Sequence, residues 1–460
     1  MSDPGALRPV RRFLATFLER EHDRAVSTLV LGAGVAQAIL FATLLLLTRL
    51  FTPEDFGVLA SFGGVLSVVS VLACLRFDLA IPLPETEEEA VGVLALSLLS
   101  TVVVAGLAGL AVWAAGDSLS ALIGISEHAE LLWLLPVGSL LLGTYNSLQY
   151  WAIRQRDFTA VSQTRVGQAA AGALTQIGMG LVTQGPFGLV LGQVINGGAG
   201  FLYLGWRAVR QARTALTAVS ISLLADLGSR YRRFPLLMAP ESLLGAANRY
   251  LPPVLLASLV GAGEAGVFYV AYRLLGAPVS LLAPAVGQVL LADVQRAASV
   301  EELGQSTTKL LGRLVGVAVG PLIFIGVNGP TLFSWAMGPQ WLRAGVIARW
   351  LAFAACAQLL AHAVQVLLPA RGHQGVALRL QGMGALLQLG TLFGVASFYG
   401  EGAAEAFAVA ALAFHTIYLA VVLKTLRVSP VALAKDLRTP GMVVLSWIAL
   451  ATITYYASGL

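Results

Sequence analysis

The sequence predicts an all-α polytopic membrane protein: two pseudo-symmetric six-helix bundles around a central cavity, plus about one extra C-terminal helix. Three observations carry that prediction. Of 460 residues, 57% are hydrophobic and only 12% charged, against about 25% charged in soluble domains. Apolar runs of the length that spans a hydrocarbon core, about 20 residues for about 30 Å, recur along the chain. A basic stretch, RAVRQARTALTAVSISLLADLGSRYRRF, separates the sixth run from the seventh.

Residues 1–24 form the first element. The piece LRPVRRFLATFLEREHDR has too short an apolar run for a cleavable signal. It reads as a cytoplasmic amphipathic segment on the membrane surface, with Arg8, Arg11 and Arg12 toward anionic headgroups. Spans follow near 25–48, 56–76, 90–114, 129–151, 164–183 and 186–206, giving an N-terminal six-helix bundle over 25–206. The basic linker covers 207–234. Spans near 235–259, 265–291, 309–334, 345–369, 376–398 and 403–423 give a C-terminal bundle over 235–425. The tail, 426–460, adds one more transmembrane segment near 440–457.

Orientation follows from the 29 Lys and Arg. One alternating set of inter-span segments holds nearly all of them; the opposite set holds only Arg49, Arg343 and Arg349. Arg249 and Arg273 fall inside spans. The positive-inside bias therefore places the N-terminus in the cytoplasm. It also accounts for the net charge of +5, so nucleic-acid binding is not implied.

Composition narrows the function further. Cys74 and Cys356 both lie in apolar runs and read as small packing residues. The five His show no ligand-like spacing, so neither a metal nor another cofactor is expected. No P-loop is present, and glycine pairs such as Gly63-Gly64 and Gly197-Gly198 read as close helix packing. The acid run ETEEEA reads as solvated loop, and Arg76 and Asp78 as a local pair.

The halves echo each other. Asp55-Phe56-Gly57-Val58, after the first span, aligns with Glu264-Ala265-Gly266-Val267, after the seventh. Each is a short turn with an acid, then a glycine opening the next helix. An acid there favours the helix dipole, and an internal repeat suits two bundles rocking about a cavity.

The run LTRLFTPEDFGVLASFGGVLSVVSVLACLRFDLAIPLP resembles the first hairpin of polysaccharide flippases, the polysaccharide-transport branch of the multidrug/oligosaccharidyl-lipid/polysaccharide exporter superfamily. So do YWAIRQRDFTAVSQTRVGQ and RYRRFPLLMAPESLLGAANRYLPPVLLASLVGAGEAGVFYVAYRLLGAPVSLLAPAVGQVLLADV. The likeness extends from about residue 25 to about 425. It implies twelve or fourteen helices in two pseudo-symmetric bundles of a V-shaped transporter. It also implies a substrate, an undecaprenyl-pyrophosphate-linked oligosaccharide moved to the outer leaflet of a bacterial inner membrane for lipopolysaccharide or exopolysaccharide synthesis. Membrane lipids, a polysaccharide polymerase and assembly proteins are the partners expected. Related sequences often carry an acid where this chain has Arg249.

Candidate site residues follow from polar faces in spans. Glu241, Gly245, Asn248, Arg249 and Pro252 share one side of the seventh span. Arg249 lies about 21 Å along that helix from Pro235, past mid-bilayer. On the eighth span Gly266, Tyr269, Arg273, Gly276, Ser280 and Gly287 trace a face, with Gln288 beside it. Guanidinium groups offer a bidentate, charge-assisted fork to phosphate, so Arg249 and Arg273 are expected to line a wet cavity and hold the pyrophosphate. The alternative pairs each with an acid, Arg249 with Glu241. Arg165, Gln168, Gly172 and Gln176 form a stripe on the fifth span, where Arg165 is either positive-inside charge or a first phosphate contact. In the tenth span Gln358, His362 and Gln365 are interhelical glue or, at His362, a proton site.

Transport driven by H⁺ or Na⁺ would use Glu241, Asp78 or His362. Three rival readings are a drug/cation exporter of the same superfamily, a membrane enzyme, and a non-transporting scaffold of polysaccharide assembly. The first would need acidic cavity walls, and the second clustered acids with a sizeable loop.

Overall fold

Each apolar run becomes a helix, and sequence-local caps start several of them. The computed structural model describes residues 21–213 and 219–457, so the segment with Arg8, Arg11 and Arg12 lies outside the described residues. The helices are α1 (Glu21–Leu50), α2 (Pro53–Ala73), α3 (Glu87–Leu122), α4 (Leu134–Arg154), α5 (Phe158–Val182), α6 (Phe187–Gly198), α7 (Phe201–Gln211) and α8 (Ile221–Arg230). Then come α9 (Ala239–Leu259), α10 (Ala262–Arg296), α11 (Val300–Leu314), α12 (Gly320–Val327), α13 (Gly329–Met337), α14 (Leu342–Val364), α15 (Gln374–Phe398), α16 (Ala403–Thr425) and α17 (Pro430–Ala457). No strand occurs among the described residues.

The TPED sequence opening α2 is a capping box. Asp55 Oδ2 accepts from Thr52 N at 3.0 Å and from Thr52 Oγ1 at 3.0 Å, while Asp55 N donates back to Thr52 Oγ1 at 3.3 Å. At α11, Glu302 N donates to Ser299 Oγ at 3.1 Å, and Glu302 Oε2 accepts from Ala298 N at 2.8 Å. Asp157 caps α5 by accepting from Ala160 N.

Among the described residues, eleven helical segments are long and apolar enough to cross a membrane; the chain is a multi-pass membrane protein. The expected spans fall largely on helix, with the sixth broken between α6 and α7, and α5 and α9 are not apolar enough to pass on composition. The ninth expected span is also cut short. A π turn at Val315–Val319 precedes α12, which ends at Asn328, and α13 begins anew. Glycine and proline at 329 and 330 give the local cause, since Pro at a helix start needs no donor.

The acid run is loop only at Glu85 and Thr86. Glu87, Glu88 and Glu89 form the first turn of α3, where acids favour the dipole, and Glu89 takes a 2.7 Å bond from Arg230 Nη1 on α8.

Contacts divide the chain into two compact units: 1–51, 62–122 and 126–250, then 52–61, 123–125 and 251–460. In the first, α1 packs on α5, α5 on α6, and α4 on α3, α6 and α7. Gly172 and Gly192 bring α5 and α6 together, because a Cβ on either would lie 2.9 Å from the other's carbonyl oxygen. Gly197 and Gly198 abut α4, whereas Gly63 faces open space beside the buried Gly64.

In the second unit α14 is central, flanked by α10, α12, α13 and α16, with α15 on α16. The extra C-terminal helix is docked there. Asn328 Nδ2 donates to Ala451 O at 3.2 Å, Thr454 Oγ1 donates to Asn328 Oδ1 at 3.1 Å, and Trp447 meets Phe324 edge-on at 5.8 Å. The aligned turns also meet. A Cβ built on Gly266 would stand 2.8 Å from both Gly57 N and Pro53 C, and one on Gly57 would stand 2.8 Å from Ala262 Cα. Helices α2 and α10 thus cross at their glycines, backbone on backbone.

Candidate functional site

Helix α9 presents Glu241, Gly245 and Arg249 exposed and Asn248 half-buried, as 3.6-residue spacing requires. The face ends at Arg249, because Pro252 is buried. Arg249 makes no ion pair among the described residues; its guanidinium lies 5.9 Å from the Tyr250 ring centroid. Its expected alternative partner, Glu241, does not reach it. Beside it, Asn248 Oδ1 is buried without a hydrogen-bond partner. An uncommitted cation and an unsatisfied acceptor are therefore adjacent. Such a cost in apolar surroundings is tolerated where a ligand or water answers it.

On α10, Arg273 is half-buried. Its Nη1 donates to Tyr269 Oη at 2.5 Å, and the group lies 5.7 Å from that ring's centroid. No carboxylate engages it among the described residues, and Gln288 is exposed. One turn beyond, Gly276 and Tyr272 border a cavity of about 20 Å³ whose lining is mostly apolar, with Gln358, Gln388 and His415 also on it. His362 stands edge-on to His415, centroids 5.3 Å apart. Gln365, the third member of its expected stripe, is exposed.

The first unit gathers a second polar cluster where α2 ends. Arg76 takes a left-handed backbone, φ 61°, and its Nη1 lies 3.9 Å from Asp78 Oδ2. The expected local pair is present, yet Arg76 Nε and Asp78 Oδ1 are both buried without partners. Burial pushes the Asp78 carboxyl above its ordinary 3.8, outweighing the pull of Arg76. No contact joins Arg165 to this pair among the described residues. The rest of its stripe is structural: Gln168 Nε2 donates to Gly197 O at 3.1 Å and Gln176 Nε2 to Leu189 O at 3.0 Å.

The sign of the Asp78 effect can be measured. A carboxyl that the folded state holds in its acid form costs stability once ionised. That cost is absent below about pH 3.8 and grows as pH rises through the shifted value. Asp78→Asn should raise Tm at pH 7 by about 1–3 °C, the gain vanishing toward pH 4. A gain independent of pH would remove burial of the charge as its cause.

Two functional-looking groups escaped the sequence. His415 is 5% exposed and carries no stripe of its own. Arg343 donates to Glu264 at 2.7 Å and to Glu405 at 2.5 Å, tying the starts of α10, α14 and α16. The acid of the repeat turn, Glu264, therefore has a partner beyond the helix dipole. The only advance signal was Arg343's rarity among the few cations of the opposite set.

Residues 46–345 match the family described as polysaccharide biosynthesis protein. None of the curated proteins compared matches the chain. Among solved structures, an inward-facing multidrug resistance MATE family transporter of the MOP superfamily is similar at 15% identity and TM-score 0.65, covering 87% of this chain and 96% of that one. The lipid II flippase MurJ, in an inward closed conformation, is similar at 11% identity and TM-score 0.64, covering 93% and 97%. A MOP superfamily transporter from Pyrococcus furiosus follows at 15% identity and TM-score 0.54, covering 89% and 96%. At such identities the likeness establishes the fold, that of this transporter superfamily.

Proposed function

The chain belongs to the polysaccharide biosynthesis protein family, and from that premise we propose that it is a flippase for a polyprenyl-pyrophosphate-linked oligosaccharide. The cargo passes from the cytoplasmic to the outer leaflet of the bacterial inner membrane by alternating access, with the N-terminus cytoplasmic. Arg249 and Arg273 hold the pyrophosphate, Asn248 and Gln288 offer hydrogen bonds to it or to the first sugar, and Arg165 meets the phosphate at the inner end. Glu241, Asp78 and His362 are the groups through which H⁺ or Na⁺ would drive the cycle. A polymerase and assembly proteins would receive the product.

One observation supports this reading: Arg249 is exposed on α9 and makes no ion pair among the described residues. A purely structural guanidinium would be locked in an ion pair. A drug or cation exporter would instead present acids.

The test uses cells deleted for this protein and complemented with variants of matched abundance. Arg249→Gln should lower outer-leaflet lipid-linked glycan at least tenfold, about 1.4 kcal/mol, and Arg249→Lys should recover part of it, keeping charge without the fork. Full transport by Arg249→Gln would end the head-group role.

A further inference from the structure

The second unit carries an arginine that neither the proposed cargo contacts nor the Arg343 cluster uses. Arg349 lies about 10 Å along α14 from its first residue, Leu342, at 1.5 Å per residue. It is half-buried, and no carboxylate pairs with it among the described residues. Its guanidinium lies 5.9 Å from the ring centroid of Tyr455 on α17. The acids at this end of the unit, Glu264 and Glu405, are both held by Arg343.

Arg349 also edges a groove between α14 and α16. The groove has a volume of about 210 Å³, and its other lining residues are Trp350, Phe353, Ala408, Val409 and Leu412. Trp350, Phe353 and Val409 are 47%, 45% and 49% exposed. They sit in two segments that are each apolar enough to cross a membrane, so the groove opens to the bilayer. It also has a direction. Helices α14 and α16 start at one end, where Arg343 joins Glu405. Arg349 stands nearer those starts, and Phe353 lies one turn deeper on α14, about 6 Å. Leu412 is likewise one turn deeper than Ala408 on α16.

We propose that this groove binds an anionic phospholipid of the phosphatidylglycerol type, its phosphate on Arg349 and an acyl chain along Phe353 and Leu412. The chemistry selects the occupant. A guanidinium within a membrane span is costly unless something answers its charge, and its planar fork fits two phosphate oxygens. Every other lining side chain is apolar, so the ammonium of a zwitterionic headgroup would find no acceptor there. An acyl chain restores the dispersion contacts that an empty apolar slot forfeits. Charge and oil thus lie in the order that a lipid presents them, headgroup toward the helix starts and chain toward the bilayer centre. The lipid binds whether or not the chain moves a glycan.

The test uses full-length protein in phosphatidylcholine nanodiscs doped with phosphatidylglycerol bearing a diazirine on its acyl chain. Illumination should label α14 near Phe353 and α16 near Leu412 above the other lipid-exposed helices. Unlabelled phosphatidylglycerol should suppress that labelling about threefold more than added phosphatidylcholine, the range of one partly screened charge pair. Arg349→Gln should lower it by a similar factor, and Arg349→Lys should recover part of the loss. Val409→Trp, which fills the groove and keeps the charge, should lower it too, so one misfolded variant does not shield the idea. Even labelling of all lipid-exposed helices, or equal competition by the two lipids, would mean annular contact only and overturn the proposal. Labelling unchanged in Arg349→Gln would do the same. An unlabelled groove, with a dimer in native mass spectrometry that Val409→Trp dissociates, would assign the groove to a second copy of the chain and end the lipid site.

Discussion

Gly266→Ala should lower the melting temperature by about 1–3 °C, although it adds a single methyl group to a helix. Alanine is ordinarily the better helix former by about 1 kcal/mol, so helix propensity predicts the opposite sign. The geometry decides. The new Cβ would stand 2.8 Å from Gly57 N and from Pro53 C, and both are backbone atoms held by the capping box that starts α2. No rotamer can relieve that approach, so α2 and α10 must separate. Overpacking of this kind costs about 1–3 kcal/mol, and more where nothing can move. Gly57→Ala should behave likewise, and the double variant should cost less than the sum, because helices already parted do not clash twice. Gly390→Ala is the control, since nothing lies within 4 Å of its Cβ direction. It should be neutral or slightly stabilising. Unfolding followed in nanodiscs checks all four, and an unchanged Tm for Gly266→Ala would dismiss the crossing.

That pair of glycines also shows what could be read from the chain alone. Hydropathy and caps are properties of one contiguous stretch, which is why most of the apolar helices, the TPED start and the repeated acid-to-glycine turns were legible. The contact between the two turns was not, because nothing in either stretch specifies the other, some two hundred residues away. The same limit hid His415 behind His362 and Arg230 behind Glu89. Alternation of charge could place an acid run outside the membrane, but only α8 folding onto α3 turned Glu89 into a partner. For the site, faces were legible and commitments were not. Arg249 and Arg165 both looked like cations on polar stripes. The structure leaves Arg249 exposed and Arg165 half-buried.

Arg343→Gln should be more damaging than losing either acid it binds. Its guanidinium is shared by Glu264 and Glu405, whose side chains are only 19% and 18% exposed. Removing the cation leaves two half-buried carboxylates near one another with no counter-charge, whereas removing one acid leaves an intact pair. Breaking a fully buried pair costs about 3–5 kcal/mol; with Arg343 38% exposed, solvent screens much of that, and about 2 kcal/mol is expected. Glu264→Gln or Glu405→Gln alone should each cost about 1 kcal/mol or less. The informative variant is the triple Arg343→Gln/Glu264→Gln/Glu405→Gln, which should be more stable than Arg343→Gln, because the stranded charges that do the harm are gone. High salt should also rescue Arg343→Gln more than wild type, by screening the two acids from each other. If the triple variant melts no higher than Arg343→Gln, the cluster holds α10, α14 and α16 by hydrogen-bond geometry, and charge balance at the helix starts is not what Arg343 supplies.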